Sequence, residues 1–295
     1  MIEKYYSGVI EQIYNRIGKE TRNIVMANYS NDFSIENLEV IRRYQSNEDN
    51  VFFAYSEFSY NTLVGAYEPF LDIICNMHRR FIGGSFDDFQ KECGVYYLHR
   101  QVLNSYYETG ECFREETVLL NEVAYEQRRM TMAIADMLKR LSEVRPLMIV
   151  INRFQMASKS SIETIKYLID NPCANIGIVL GVNAIVKGAD STVEVWDRIV
   201  ESLEDRSAIY YIGSAGPLKN NIKTTNDDEL YITMNFEQSI QEASNIMEFL
   251  DYEQARRGCR IIEHKIKFEN AWIDEKSLRR FYLVYARTSV LLGEM

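Results

Sequence analysis

The sequence predicts an α/β fold: a three-layer sandwich around a mainly parallel, five-stranded sheet, followed by a helical C-terminal segment. Three observations predict it. First, the chain carries short apolar runs without polar alternation, and Leu147 to Ile151 after Pro146 is the clearest. A strand buried on both faces needs such a run, and parallel strands are buried on both faces. Second, the runs alternate with segments of helical periodicity, the order that builds parallel sheets through crossover helices. Third, the strongest unit reads strand, short polar turn, helix, with Ile162, Ile165, Leu168 and Ile169 on one helical face. The loop at the carboxyl end of such a strand is where open α/β sheets bind ligands.

In chain order, residues 3–17 form the first expected helix, with Val9, Ile10, Ile13, Tyr14 and Ile17 on one side. Asn23 to Ala27 is a short buried strand, Asn28 to Phe33 a loop, and residues 34–44 a helix capped by Ser34 or Asp32. Asn50 to Tyr55 is the second strand, and Pro69 is placed in the first turn of the next helix, where its missing N–H does no harm. The aromatic-rich region 81–109, with Gly83, Gly84 and Gly94, reads as packing. Residues 115–141 are one long helix leading to the central strand. Asn175 to Asn183 and Ser207 to Gly213 complete the sheet. Helices follow at 239–253 and 277–292, while 261–268 reads as helix or strand. The expected division is residues 1–235 as the α/β domain and 236–295 as the helical segment.

Composition narrows the function classes. The chain has 295 residues, enough for one large or two modest domains, and is 46% hydrophobic and 26% charged, as globular chains are. Its net charge of -10 is spread along the chain, which argues against nucleic acid as a partner, since phosphate binding needs a basic face. The basic pairs Arg42-Arg43, Arg79-Arg80, Arg128-Arg129, Arg256-Arg257 and Arg279-Arg280 read as solvated helix faces. No apolar run approaches the roughly 20 residues of a membrane span, and the expectation is a cytoplasmic protein. Twenty tyrosines point to protein partners or self-association, because Tyr joins an apolar ring to a hydrogen-bonding tip. The 5 cysteines suit reduced thiols. Cys75 with His78, Cys93 with His99 and Cys259 with His264 lack the paired spacing of a zinc site, so no metal is expected. No nucleophile motif surrounds the three histidines.

The central unit resembles the Walker B region of the AAA-like signal-transduction ATPases, the STAND group of P-loop NTPases. Phe154, Gln155, Ala157, Ser161 and Ile162 fit that pattern, but Asn152 and Arg153 stand at its two acidic positions. The loop after the first strand is where a P-loop, G-x-x-x-x-G-K-[ST], belongs. In the matching register its positions run from Ala27 to Ser34. Ala27 and Asp32 replace the two glycines, Phe33 replaces the Lys, and Ser34 keeps the hydroxyl. Asn183 stands at the sensor position. Tyr67, Pro69 and Phe70 fit the segment after the second strand, and residues 285–293 resemble the first helix of a tetratricopeptide repeat. The resemblance implies an oligomerising regulatory fold, while these departures remove the phosphate cation and the Mg²⁺ carboxylate. The expectation is a pseudo-ATPase without cofactor, acting through protein–protein contacts. The alternatives are a residual ATP/Mg²⁺ binder or weak ATPase, and part of a DNA-binding transcription regulator.

Overall fold

The computed structural model describes residues 2–29, 38–46, 50–58, 63–114, 118, 122–183, 186–187, 199–203, 209–212, 223–224, 236–268 and 273–293. The expected caps Asp32 and Ser34, and most of the expected loop, lie outside them. The chain forms two compact units. One comprises Met1–Ser59, Pro69–Gly84 and Ile134–Thr225; the other comprises Tyr60–Glu68, Ser85–Ala133 and Asn226–Met295.

The first unit is α/β. Its elements are α1 (Ile2–Arg16), β1 (Ile24–Tyr29), α2 (Glu39–Ser46), β2 (Phe52–Glu57) and α3 (Phe70–Met77). The last part of a long helix, β3 (Leu147–Asn152), α7 (Lys159–Asp170), β4 (Ile176–Asn183) and three short strands complete it. Among the described residues the strand pairings are all parallel, in the order β2-β3-β4-β1. A four-residue strand, β6 (Ile209–Ile212), pairs with β1 beyond them. The five expected strands thus become four of six to eight residues with a short edge. Two-residue strands β5 (Val186–Lys187) and β7 (Lys223–Thr224) pair separately.

Local signals explain these elements. Every residue of β3 is buried, as its unbroken apolar run requires. Helix α7 starts at Ser158, whose Oγ accepts from Ser161 N at 3.4 Å, and its four apolar positions are at most 2% exposed. Pro69 falls at the cap of α3, one place ahead of the expected first turn. α1 packs on the sheet face that carries Gly177 and Gly181. A Cβ at Gly177 would lie 2.8 Å from Ile17 and 2.9 Å from Ile13, so glycine sets how closely the helix approaches.

The second unit is helical: α4 (Phe86–Glu92), α5 (Tyr97–Thr109), the start of α6 (Val123–Val144), α8 (Phe236–Glu248), α9 (Tyr252–Phe268) and α10 (Glu275–Leu291). From Ser85 on, the aromatic-rich region is two helices, capped at Ser85 and stopped at the left-handed Gly110, while Phe81 and Ile82 end a π-helical turn of the first unit. The open reading at 261–268 resolves as the end of α9. The expected start of α6 near 115 moves to Val123; residues 115–117 and 119–121 lie outside the described set. Asp274 caps α10, accepting from Ser277 N at 3.0 Å. Phe281, Val284 and Thr288 face inward on α10, and Tyr282, Leu283 and Val290 stay exposed. No helix among the described residues is long and apolar enough to cross a membrane.

Candidate functional site

The carboxyl end of the sheet gathers part of the predicted site. Glu57 pairs with Asn152 across β2 and β3, and Ala27 pairs with Gly181 across β1 and β4. Registered residues of parallel strands share a face. Glu57, Asn152, Gly181 and Ala27 therefore form one row on the face that α1 covers. Ala27 and Asn152 are fully buried. Tyr6 of α1, also fully buried, lays its hydroxyl against Gly181, and Asn152 Oδ1 lies 2.7 Å from where a Cβ at Gly181 would stand. The missing side chain at Gly181 makes the room that this phenol occupies.

Arg153 follows with a left-handed backbone, φ 55° and ψ 38°, and leads into the 3-10 turn Phe154–Met156. That conformation costs a non-glycine residue about 1–2 kcal/mol, so the surroundings hold it there. They are visible. Arg153 Nη1 lies 3.0 Å from Glu57 Oε1 and donates to the carbonyl of Phe58 at 3.4 Å. Tyr55 donates its hydroxyl to the other Glu57 oxygen. Phe58 N donates to Asn152 O at 3.2 Å, and the Phe58 ring packs on Phe154 with centroids 6.4 Å apart. The exits of β2 and β3 are thus tied by backbone, ring and charge. Both side chains of the ion pair are mostly buried, 20% and 15% exposed, so it is less screened than a surface pair.

Asp32, Phe33 and Ser34 lie outside the described residues, and Asn183 is described only by its backbone, paired with Tyr29. Sequence reasoning missed Tyr6, Tyr55 and Glu57. Glu57 had a usable signal, a lone acid at the carboxyl end of an apolar strand. Tyr6 had none, because its role depends on Gly181 far along the chain.

A second polar cluster lies inside the helical unit. His99 Nε2 is 2.9 Å from Glu126 Oε2, and Arg287 Nη1 is 2.8 Å from Glu248 Oε1. Arg114 donates to the Glu248 carbonyl at 3.1 Å. Burial, helped by Arg114 and Arg129, pushes the His99 imidazole down to about 3, so it stays neutral despite the nearby carboxylate. Burial raises the Glu248 carboxyl above its usual range and lowers the Arg114 guanidinium. His99 has no exposed surface, which gives a substrate no access. Burial likewise pushes the Cys75 and Cys259 thiols up to about 12, which suppresses thiolate chemistry. Among the described residues, no group of three His, Cys, Asp or Glu is placed to hold a metal.

Arg42, Arg43, Arg79, Arg80, Arg128 and Arg279 are exposed as expected, and some members of the basic pairs also rest on aromatic rings. Arg129 lies 3.8 Å over the Tyr96 ring and 3.3 Å from Glu126, Arg80 lies over Phe52 and Phe81, and Arg256 lies over Tyr285. Guanidinium stems cover ring faces readily, which a helical pattern of charge cannot reveal. No family model matches the chain, and no curated protein matches it either.

Proposed function

We propose that the chain is a non-catalytic regulatory or scaffold module, a three-layer P-loop-like sandwich of STAND type that acts by binding proteins or itself in signalling or transcriptional regulation. One observation carries this reading: the residues at the Walker B place are engaged internally. Asn152 is buried beneath Tyr6, and Arg153 is paired with Glu57. Nucleotide hydrolysis needs a carboxylate on Mg²⁺ and a cation on the β/γ-phosphates. Asn152 offers a neutral amide, and the Arg153 guanidinium is already neutralised by its partner.

Glu57 favours the second reading, a residual ATP/Mg²⁺ binder, because it leaves one carboxylate at this end of the sheet. A thermal-shift series with ATP, ADP and GTP, each with and without Mg²⁺, separates the two. A ligand at roughly 100 times its Kd stabilises by about 2.7 kcal/mol, a visible shift. The expected result is no shift at millimolar nucleotide. A Mg²⁺-dependent shift, abolished by Glu57→Gln, would overturn the proposal in favour of nucleotide binding.

A further inference from the structure

Helix α10 is apolar on two sides. Phe281, Val284 and Thr288 are buried in the helical unit, yet the opposite face is apolar as well. Positions 279, 283, 286 and 290 recur at three- and four-residue spacing and so share one face. On it Leu283 and Val290 are 71% and 51% exposed, Ala286 is exposed between them, and Tyr282 beside them is 55% exposed. Single exposed hydrophobic residues are ordinary, but these stand in register along one helix. A ridge that is small at Ala286 and long on either side is the kind of surface another helix packs against.

Charge selects the kind of helix. Lys276, Arg279, Arg280 and Arg287 stand on α10 against Glu275 alone, in a chain whose net charge is -10. Arg280 and Arg287 line one flank, where Glu111 lies at 3.7 Å and Glu248 at 2.8 Å. Lys276 and Arg279 are exposed at the amino-terminal end of the stripe. Arg279 pairs with Glu275 one turn away, and both are more than three-quarters exposed, so that pair exchanges for another carboxylate at little cost. A second copy would bring the same excess of cations, and two such faces repel. A phosphate backbone would answer the cations but lay nothing apolar on Leu283 and Val290. We propose that this face docks an amphipathic helix of a partner protein. The partner's apolar stripe packs on Leu283, Ala286 and Val290, and its flanking Asp or Glu side chains meet Lys276 and Arg279. The inference rests on the protein-binding part of the reading above and not on the Walker positions, so the nucleotide series and the peptide series can fail separately.

Fluorescence anisotropy of the full chain tests it with a labelled helical peptide of about 20 residues, with leucine and alanine on one face and glutamate on its flanks. Two control peptides replace every glutamate by lysine, or every leucine by serine. The glutamate peptide is expected to bind with a Kd of about 10 μM, and each control at least about tenfold more weakly. Leu283→Ser is expected to weaken binding by about tenfold or more; at 71% exposure this side chain carries little of the fold. The double variant Lys276→Glu, Arg279→Glu should reverse the preference and take the lysine peptide over the glutamate one. No binding of the glutamate peptide at about 1 mM overturns the proposal. So does equal binding of the glutamate and lysine peptides, or undiminished binding by Leu283→Ser. Binding of phosphatidylserine vesicles or duplex DNA without peptide binding overturns it in favour of a membrane or a nucleic acid. A dimer in sedimentation velocity that Leu283→Ser dissolves overturns it in favour of a second copy.

Discussion

Gly181→Ala puts the closure of the carboxyl end under direct test. The backbone there is extended strand, so alanine itself gains about 0.5–1 kcal/mol in lower unfolded-state entropy. The added methyl, however, would run into the Tyr6 hydroxyl and stand 2.7 Å from Asn152 Oδ1. Neither neighbour yields easily. Tyr6 is a rigid ring with no exposed surface, and Asn152 is fully buried on the strand beside it. Overpacking a filled interior costs typically about 1–3 kcal/mol, which outweighs the backbone gain. The net expectation is a loss of about 1–2 kcal/mol, or a melting shift of roughly 2–8 °C at about 2–4 °C per kcal/mol. Differential scanning calorimetry on the two proteins reads it. Tyr6→Phe removes the hydroxyl, so the double variant should recover most of the loss relative to Tyr6→Phe alone, and the coupling should exceed about 0.5 kcal/mol. A neutral or stabilising Gly181→Ala, or strictly additive variants, would refute the packing of Tyr6 against Gly181.

Three further outcomes follow from the same physics. Arg153→Ala should destabilise by about 1–2 kcal/mol in urea denaturation, by leaving the mostly buried Glu57 without this cation, while Arg153→Gly should cost about 1 kcal/mol less because it removes the left-handed strain. Equal losses would mean that the backbone there is unstrained. Gly177→Ala should lower the melting temperature through its contacts with Ile13 and Ile17, and trimming Ile17 to Val should offset part of the loss. His99 is neutral in the folded chain down to about pH 3, while an unfolded histidine protonates near its ordinary 6.5. Below that value the unfolded state takes up a proton that the folded state refuses. This group's contribution is therefore full above about 6.5 and falls toward pH 3, by at most ~1.4 kcal/mol per unit. Glu248, raised by burial, acts in the opposite sense near its own range. Denaturation curves of wild type and His99→Gln should differ in slope between about pH 7 and 4; a pH-independent difference would sink this assignment.

Much of the fold is legible in the residues because its signals are local. The run Leu147–Ile151 needs only burial on both sides to be a strand. The spacing of Ile162, Ile165, Leu168 and Ile169 specifies an amphipathic helix, while its cap at Ser158 and the start of α10 at Asp274, three residues before the expected 277, came from the structure. The same signals blur where they overlap. The stretch 261–268 reads as helix or strand because its apolar positions are few, and only its continuity with Tyr252 onward makes it the end of α9.

The sequence by itself determined the buried strands and the intervening helices, since a buried run and a period are properties of neighbouring residues. Only the tertiary structure decided what Asn152 and Arg153 touch. Register places Glu57 beside Asn152 and Gly181 beside Ala27, and α1 brings Tyr6 over them. The chain fixes each strand's content locally, but the pairing of strands far apart in the chain is a property of the whole packed sheet. Through it an acid in β2 meets an arginine after β3.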